Sequence, residues 1–211
     1  MENEWDILYQ EADVLIEKNQ YKTALVKAKK ALELAEKALD PDDPDILGMA
    51  MKLAEIHHSL KQLKKAEPIL KRLLVITEKV YGPDDVDVAV ALERLASNYS
   101  EQGNDTKAES LYKRALKIVE KICGPDNPEI LLYVDNLGFN YYGQGKYEKA
   151  EPLWKRSLAF HEKVWGPDGL MVSVSLTALA ELYRKMGKDK EAKEADKRAA
   201  EIDAKIAAKK I

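Results

Sequence analysis

Adjacent histidines, His57 and His58, are the residues best suited by type to hold a metal or move a proton. Adjacent helical positions do not share a face. No further histidine stands four residues away, and the remaining one, His161, is remote in sequence. The acidic run from Pro41 to Asp45 lacks the spacing and the glycine of an EF-hand, and reads as a turn with acids at a helix start. Cys123 has no base near it in sequence, so nothing marks it as a nucleophile. A Gly-rich phosphate loop, Gly-x-Ser-x-Gly and HExxH are all absent. What remains is a ladder of basic pairs: Lys29-Lys30, Lys71-Arg72, Lys113-Arg114, Lys155-Arg156 and Lys197-Arg198. Such a ladder could track a phosphate backbone. Yet Glu67, Glu109 and Glu151 stand four residues before Lys71, Lys113 and Lys155, the favourable spacing for helical ion pairs. The expectation is a self-paired, solvated face, with no nucleic-acid partner, no catalytic residue, no metal and no cofactor.

Composition agrees with that negative. The chain has 211 residues, net charge −3, 34% charged and 45% hydrophobic residues, enough apolar material for a core and too balanced for a disordered tail. No apolar stretch is long enough to span a bilayer, and the acidic start, Glu2 to Asp6, is unlike a signal peptide. One cysteine excludes an internal disulfide framework and suits a reducing cytoplasm.

The basic pairs are one column of a wider pattern. Lys65-Ala66-Glu67-Pro68, Lys107-Ala108-Glu109-Ser110 and Lys149-Ala150-Glu151-Pro152 recur at a step of 42 residues, and the same step reaches Ala24 and Ala192. A second small column holds Ala12, Ala54, Ala96, Gly138 and Ala180; a third holds Ala31, Leu73, Ala115, Ser157 and Ala199. Pro41, Pro83, Pro125 and Pro167 close the first four units. Five copies of one unit fill the chain, at about 3–44, 45–86, 87–128, 129–170 and 171–211.

Each copy reads as two helices. Val88, Leu92, Leu95, Ala96 and Tyr99 recur at helical spacing until Gly103; Ala108, Leu111, Tyr112, Ala115, Ile118 and Val119 do so until Gly124. Pro68 and Pro152 are expected in the first turn of their helices, where no intrahelical N–H is needed. Small columns let paired helices approach to the near end of the usual 8–10 Å range. One helix pair cannot bury both its faces, so the units must stack. Tyr99, Tyr141 and Tyr183 share a column and are expected in the core, as is His57. Both end units carry polar departures from the pattern, Glu11 in the first and the Lys188–Ala200 run in the last, and read as caps of a complete array.

Unit four carries a family resemblance. The run from Asn136 through Tyr142, the Gly145-Lys146-Tyr147-Glu148-Lys149-Ala150-Glu151-Pro152 segment and the Gly124-Pro125-Asp126-Asn127-Pro128 linker resemble a tetratricopeptide repeat (TPR) of the 42-residue, kinesin-light-chain-like type. The resemblance implies an all-α solenoid: a right-handed superhelix of five helix-turn-helix units, with about ten helices and no sheet. It also implies a non-enzymatic adaptor that captures a partner peptide or helix in a concave groove lined by the first helix of each unit.

Carried over onto this chain, the groove positions are Gln10, Lys52, Arg94, Asn136 and Ala178 in one column. A second column holds Asp13, Glu55, Ser97, Phe139 and Glu181; a third holds Ile16, His58, Ser100, Tyr142 and Arg184. Asn136 matches the asparagine that bonds a peptide backbone in the family. Lys52 and Arg94 are candidates to pair an acidic ligand group, although Asp13, Glu55, Glu93 and Asp135 mix the sign of the face. Phe139 and Tyr142, with Tyr133 nearby, form a candidate aromatic pocket. The expected peptide-binding residues are therefore Lys52, Arg94, Asn136, Phe139, Tyr142 and Arg184. The expected partner is a protein or peptide, with no membrane; the alternative is a structural protein that self-associates through its convex face or end units.

Overall fold

The computed structural model describes residues 3–41, 43–125 and 127–208, and these form ten α-helices with no strand among them. The first helices of the five repeats are α1 (Glu4–Glu17), α3 (Pro44–Ser59), α5 (Val86–Glu101), α7 (Ile130–Gly143) and α9 (Leu170–Lys185). The second helices are α2 (Tyr21–Ala38), α4 (Leu63–Tyr81), α6 (Asp105–Cys123), α8 (Tyr147–Trp165) and α10 (Asp189–Ala208). The chain divides into two compact units, Met1–Leu111 and Tyr112–Ile211, the division falling within α6.

In the first unit each helix packs on the next from α1 to α5; in the second the same holds from α7 to α10. The small columns sit where helices cross. Ala12 of α1, Ala24 and Ala28 of α2, and Leu53 and Ile56 of α3 form one buried cluster. Ala31 and Ala35 of α2 meet Ile46 and Met49 of α3 in another. In the second unit Val172, Leu176 and Ala180 of α9 close on Ala195, Ala199 and Ile202 of α10. Tyr99, Tyr141, Tyr183 and His57 are buried as expected.

Repeat boundaries are written in capping chemistry. The Asp43 side chain accepts from the N–H of Asp45 at the start of α3, and Asp85 accepts from Asp87 at the start of α5, both at 2.9 Å. Between paired helices the chain needs one left-handed residue. Gly103, Gly145 and Gly187 supply it in the last three repeats, whereas Asn19 (φ 56°) and Lys61 (φ 54°) occupy the same place in the first two.

The prolines are displaced from expectation. Helices α4 and α8 begin at Leu63 and Tyr147, so Pro68 and Pro152 lie in the second turn, inside the helix. The helices start early because Gln62 and Lys146 supply the first carbonyls: Gln62 O receives the N–H of Lys65 and Ala66, and Lys146 O that of Lys149 and Ala150. Each proline thus removes one backbone donor that the helix would otherwise use.

The basic ladder is self-paired. Lys71 donates to Glu67 at 2.7 Å and Lys155 to Glu151 at 2.6 Å along one helix. The arginines reach back to the preceding second helix: Arg72 to Glu36, Arg156 to Glu120, and Arg198 to Glu162. Glu151 accepts from both Lys155 and Lys188, and those bonds hold its carboxyl below the usual glutamate range.

Candidate functional site

Every expected site residue lies on a first helix: Lys52 and Arg94 in the first unit, and Asn136, Phe139, Tyr142 and Arg184 in the second. Their surroundings differ sharply. Lys52 on α3 is turned inward to Asp13 of α1, and its ammonium stands 4.5 Å from the Tyr9 ring centre. Arg184 on α9 pairs with Asp196 of α10 and approaches Glu181 at 3.8 Å. Both cations serve helix packing in this structure, the arrangement in which a cross-helix ion pair competes with ligand binding.

Arg94 is placed differently. It lines a cleft of about 140 Å³ between α3 and α5, with Glu55, His58, Glu93, Ser97, Ala54 and Leu70. No ion pair engages Arg94 among the described residues. The imidazole of His58 is 2.6 Å from Glu101, which also accepts from Lys61 at 3.0 Å. Glu55, Glu93 and Arg94 give this lining charges of both signs beside the apolar Ala54 and Leu70.

The second unit carries a cleft of about 170 Å³ among α7, α8 and α9. Its rim is Phe139, Trp154, Met171, Val174 and Ala178; its floor is Asp135, Ser157, His161 and Ser175. Phe139 and Tyr142 converge on Trp154: the Phe139 ring meets the indole edge-on at 5.1 Å, and Tyr142 stacks on it at 5.4 Å. Tyr147 extends the group, 5.5 Å from Tyr142. Phe139 is nevertheless 58% exposed, and Val174 across the cleft 52%. The Tyr142 hydroxyl donates to Glu181 at 3.2 Å. Asn136, on the same helix, is half-buried. Tyr133 is buried in the packing instead, because its position on α7 faces inward.

Trp154 is the organising residue that sequence reasoning missed, and its signal was in the repeat columns. The residues at its place in the other units are Ala28, Leu70, Tyr112 and Asp196. The partner column reads Ala12, Ala54, Ala96, Gly138 and Ala180, so the missing methyl occurs in the same unit as the indole. A Cβ on Gly138 would stand 2.6 Å from Trp154 Cδ1, inside any allowed contact. The glycine makes room for the tryptophan.

The cleft floor is a polar chain. Ser157 hydrogen-bonds the Asp135 carboxyl, and His161 lies close enough to act on it electrostatically. Nδ1 of His161 is 2.6 Å from the Ser175 hydroxyl, and its ring rests 5.2 Å from Trp165. Burial pushes the Asp135 carboxyl above the usual aspartate range despite these partners. Elsewhere, the Cys123 thiol donates to Glu129 at 3.2 Å, which pushes its pKa up and away from a reactive thiolate. Among the described residues no cluster of His, Cys, Asp and Glu could hold a metal ion, and no helix is long and apolar enough to cross a membrane.

Comparison with known proteins places this architecture. No curated protein matches the chain. Among solved structures, the nearly identical TPR-like repeats of a Podosopora anserina kinesin light chain are 21% identical, with a TM-score of 0.86 over 98% of this chain and 99% of that one. BtubC (BKLC) from P. vanneervenii is 23% identical, with a TM-score of 0.79 over 93% of this chain and 78% of that one. A Rap protein complexed with Competence and Sporulation Factor is 22% identical, with a TM-score of 0.67 over 95% of this chain but only 54% of its own. At these identities the likeness is one of fold. The tetratricopeptide repeat family model matches residues 45–121 and 128–205, most of the chain. The chain belongs to the tetratricopeptide-repeat family, and its fold is similar to that of the kinesin light chain repeats.

Proposed function

We propose that this protein is a non-catalytic adaptor that captures an extended segment or helix of a partner protein against the first helices of its repeats, in a single solenoid of five units. The fold commonly mediates protein–protein interaction, and a Rap protein of the same fold is complexed with Competence and Sporulation Factor. The observation that carries the reading is the exposed Phe139, held edge-on to Trp154 beside Tyr142 and facing Val174 across an open cleft. Rigid aromatic side chains at a concave surface are the usual anchors of a peptide interface. Because the helices are preformed, most of the ordering cost falls on the partner. Lys52 and Arg94 in the first unit and Asn136 and Arg184 in the second would tune partner binding, Lys52 and Arg184 only after exchanging their present ion pairs. A cytoplasmic setting fits the protonated, unpaired thiol of Cys123.

The test is retention of partners from the native cells by the tagged protein and by a variant with Asn136→Ala, Phe139→Ala and Tyr142→Ala. Retention should fall about tenfold or more in the variant. Undiminished capture would sink the reading.

One observation favours a second reading, end-to-end self-association. Val14 on α1 is 46% exposed, while Ile56 and Leu182, at the same place in other repeats, are fully buried. Light scattering against concentration, with Val14→Glu as control, separates the two: a mass that stays monomeric at all concentrations excludes self-association.

A further inference from the structure

The cleft among α7, α8 and α9 combines two features that the adaptor role alone does not require: a carboxylate at its floor and aromatic walls above it. Asp135 is the only acidic side chain lining that cleft, and no lysine or arginine lines it. Among the described residues no Lys or Arg pairs with Asp135; its contacts are the Ser157 hydroxyl and the field of His161. His161 is itself committed, through Nδ1 to Ser175 and through its ring to Trp165. The repeat register explains the vacancy for a cation. Where Arg94 enters the cleft of the first unit, the same column places Ala178 in the second. Farther along α9, Arg184 is bound by Asp196 and Glu181, and Glu181 adds negative charge beside Tyr142.

Resting on the adaptor reading, we infer that this cleft selects a basic side chain of the partner segment, a lysine or arginine, whose stem lies along Phe139, Trp154, Met171 and Val174 and whose charged head reaches Asp135. Apolar and aromatic walls suit the stem of a long cationic side chain, and ring faces attract its charge. A half-buried carboxylate that lacks a counter-ion gains most from an arriving one, because the desolvation of the carboxylate has already been incurred. The raised proton affinity of Asp135 is the signature of that unmet need.

The probes are four unlabelled pentapeptides, alike except for a central lysine, acetyl-lysine, norleucine or glutamate. Binding to the full chain is followed by heteronuclear NMR shifts of α7 and α9. The lysine peptide should saturate at about tenfold lower concentration than the acetyl-lysine and norleucine peptides, with glutamate weakest. That comparison needs no variant, so misfolding cannot imitate it. In Asp135→Asn the advantage of lysine over acetyl-lysine should shrink to about twofold or less. Equal or tighter binding of acetyl-lysine or norleucine overturns the cation preference and leaves the peptide-binding face standing. A tighter glutamate peptide, or no response of α7 and α9 to the lysine peptide, also overturns it. Partner retention by the triple alanine variant judges the adaptor reading separately.

Discussion

The two clefts are built at the same register, two repeats apart, and they invert each other's polarity. Glu55, Leu70 and Arg94 in the first correspond to Phe139, Trp154 and Ala178 in the second, and Ala54 and His58 of the first have Gly138 and Tyr142 as their counterparts in sequence. Beneath the rim the exchange runs the other way. Asp135, Ser157 and Ser175 stand where the first unit has Met51, Leu73 and Ala91, and there Met51 and Leu73 pack with Leu47 and Ile76. One backbone geometry therefore supports a cleft lined by Glu55, Glu93 and Arg94 in one unit and a cleft walled by Phe139 and Trp154 in the other. The lesson is that these repeats fix where side chains point, and leave their chemistry free.

Substitutions on either side of the second cleft test that contrast. The largest effect belongs to Trp154→Ala, which removes the wall that both Phe139 and Tyr142 rest on; urea unfolding should show a loss of about 3–5 kcal/mol. A loss below about 1 kcal/mol would mean the indole is a surface ornament. Gly138→Ala comes next, at about 1–3 kcal/mol from forced overlap with the indole. Adding Trp154→Leu recreates the Ala54–Leu70 pair of the first unit and should restore most of that loss. Additive effects in the double variant would refute the steric link.

Two carboxylates of the second unit should respond to pH in opposite directions. Glu151 has its folded pKa lowered by Lys155 and Lys188, so its contribution to stability is present above the unfolded glutamate pKa and fades as pH falls through the folded one. Asp135 has its folded pKa raised by burial, so stability declines as pH rises through that value. Asp135→Asn should therefore melt higher than the parent chain at neutral pH, with the difference vanishing in acid below the unfolded aspartate pKa. Equal melting temperatures at both pH values would contradict the desolvation of this carboxyl. The smallest effect is expected from Lys61→Gly, which relieves a left-handed lysine in the first unit where Gly103 stands one repeat later; a gain of about 0.5–1 kcal/mol should appear in thermal melts.

The sequence disclosed the scaffold because the scaffold repeats. Ala24, Ala66, Ala108, Ala150 and Ala192 announce a crossing that no larger residue fits, and all five are buried. Helix ends were legible at Gly103, where a positive φ is needed, and less so at Leu63 and Tyr147, because a proline in the second turn can be read as a start signal. Asn98 shows a different limit. Asparagine is a residue type mostly found exposed, yet this one is buried, donating to the Leu63 carbonyl at 3.2 Å and accepting from Gln102 at 2.7 Å. Of the candidate site, Phe139 and Tyr142 could be picked out as aromatics on a first helix. Trp154 is legible only through its pairing with Gly138 in the repeat columns, and His161 not at all, since both lie on a second helix and reach the cleft only through packing. The ion pairs that occupy Lys52 and Arg184 depend on side-chain direction, which spacing alone does not set.

The arginine ladder on the second helices has a consequence for how such a chain can change length. Arg72 meets Glu36, Arg156 meets Glu120 and Arg198 meets Glu162, always one repeat back and always between the same two columns. Each of these three repeats thus presents a plug to its predecessor, and the predecessor a socket, through the same pair of columns. A gene duplication or deletion spanning one whole step would leave every plug facing a socket. Any other length would put charges out of phase all along that seam. The ladder acts as a frame check on recombination, permitting arrays to grow or shrink by whole units while the clefts between them diverge.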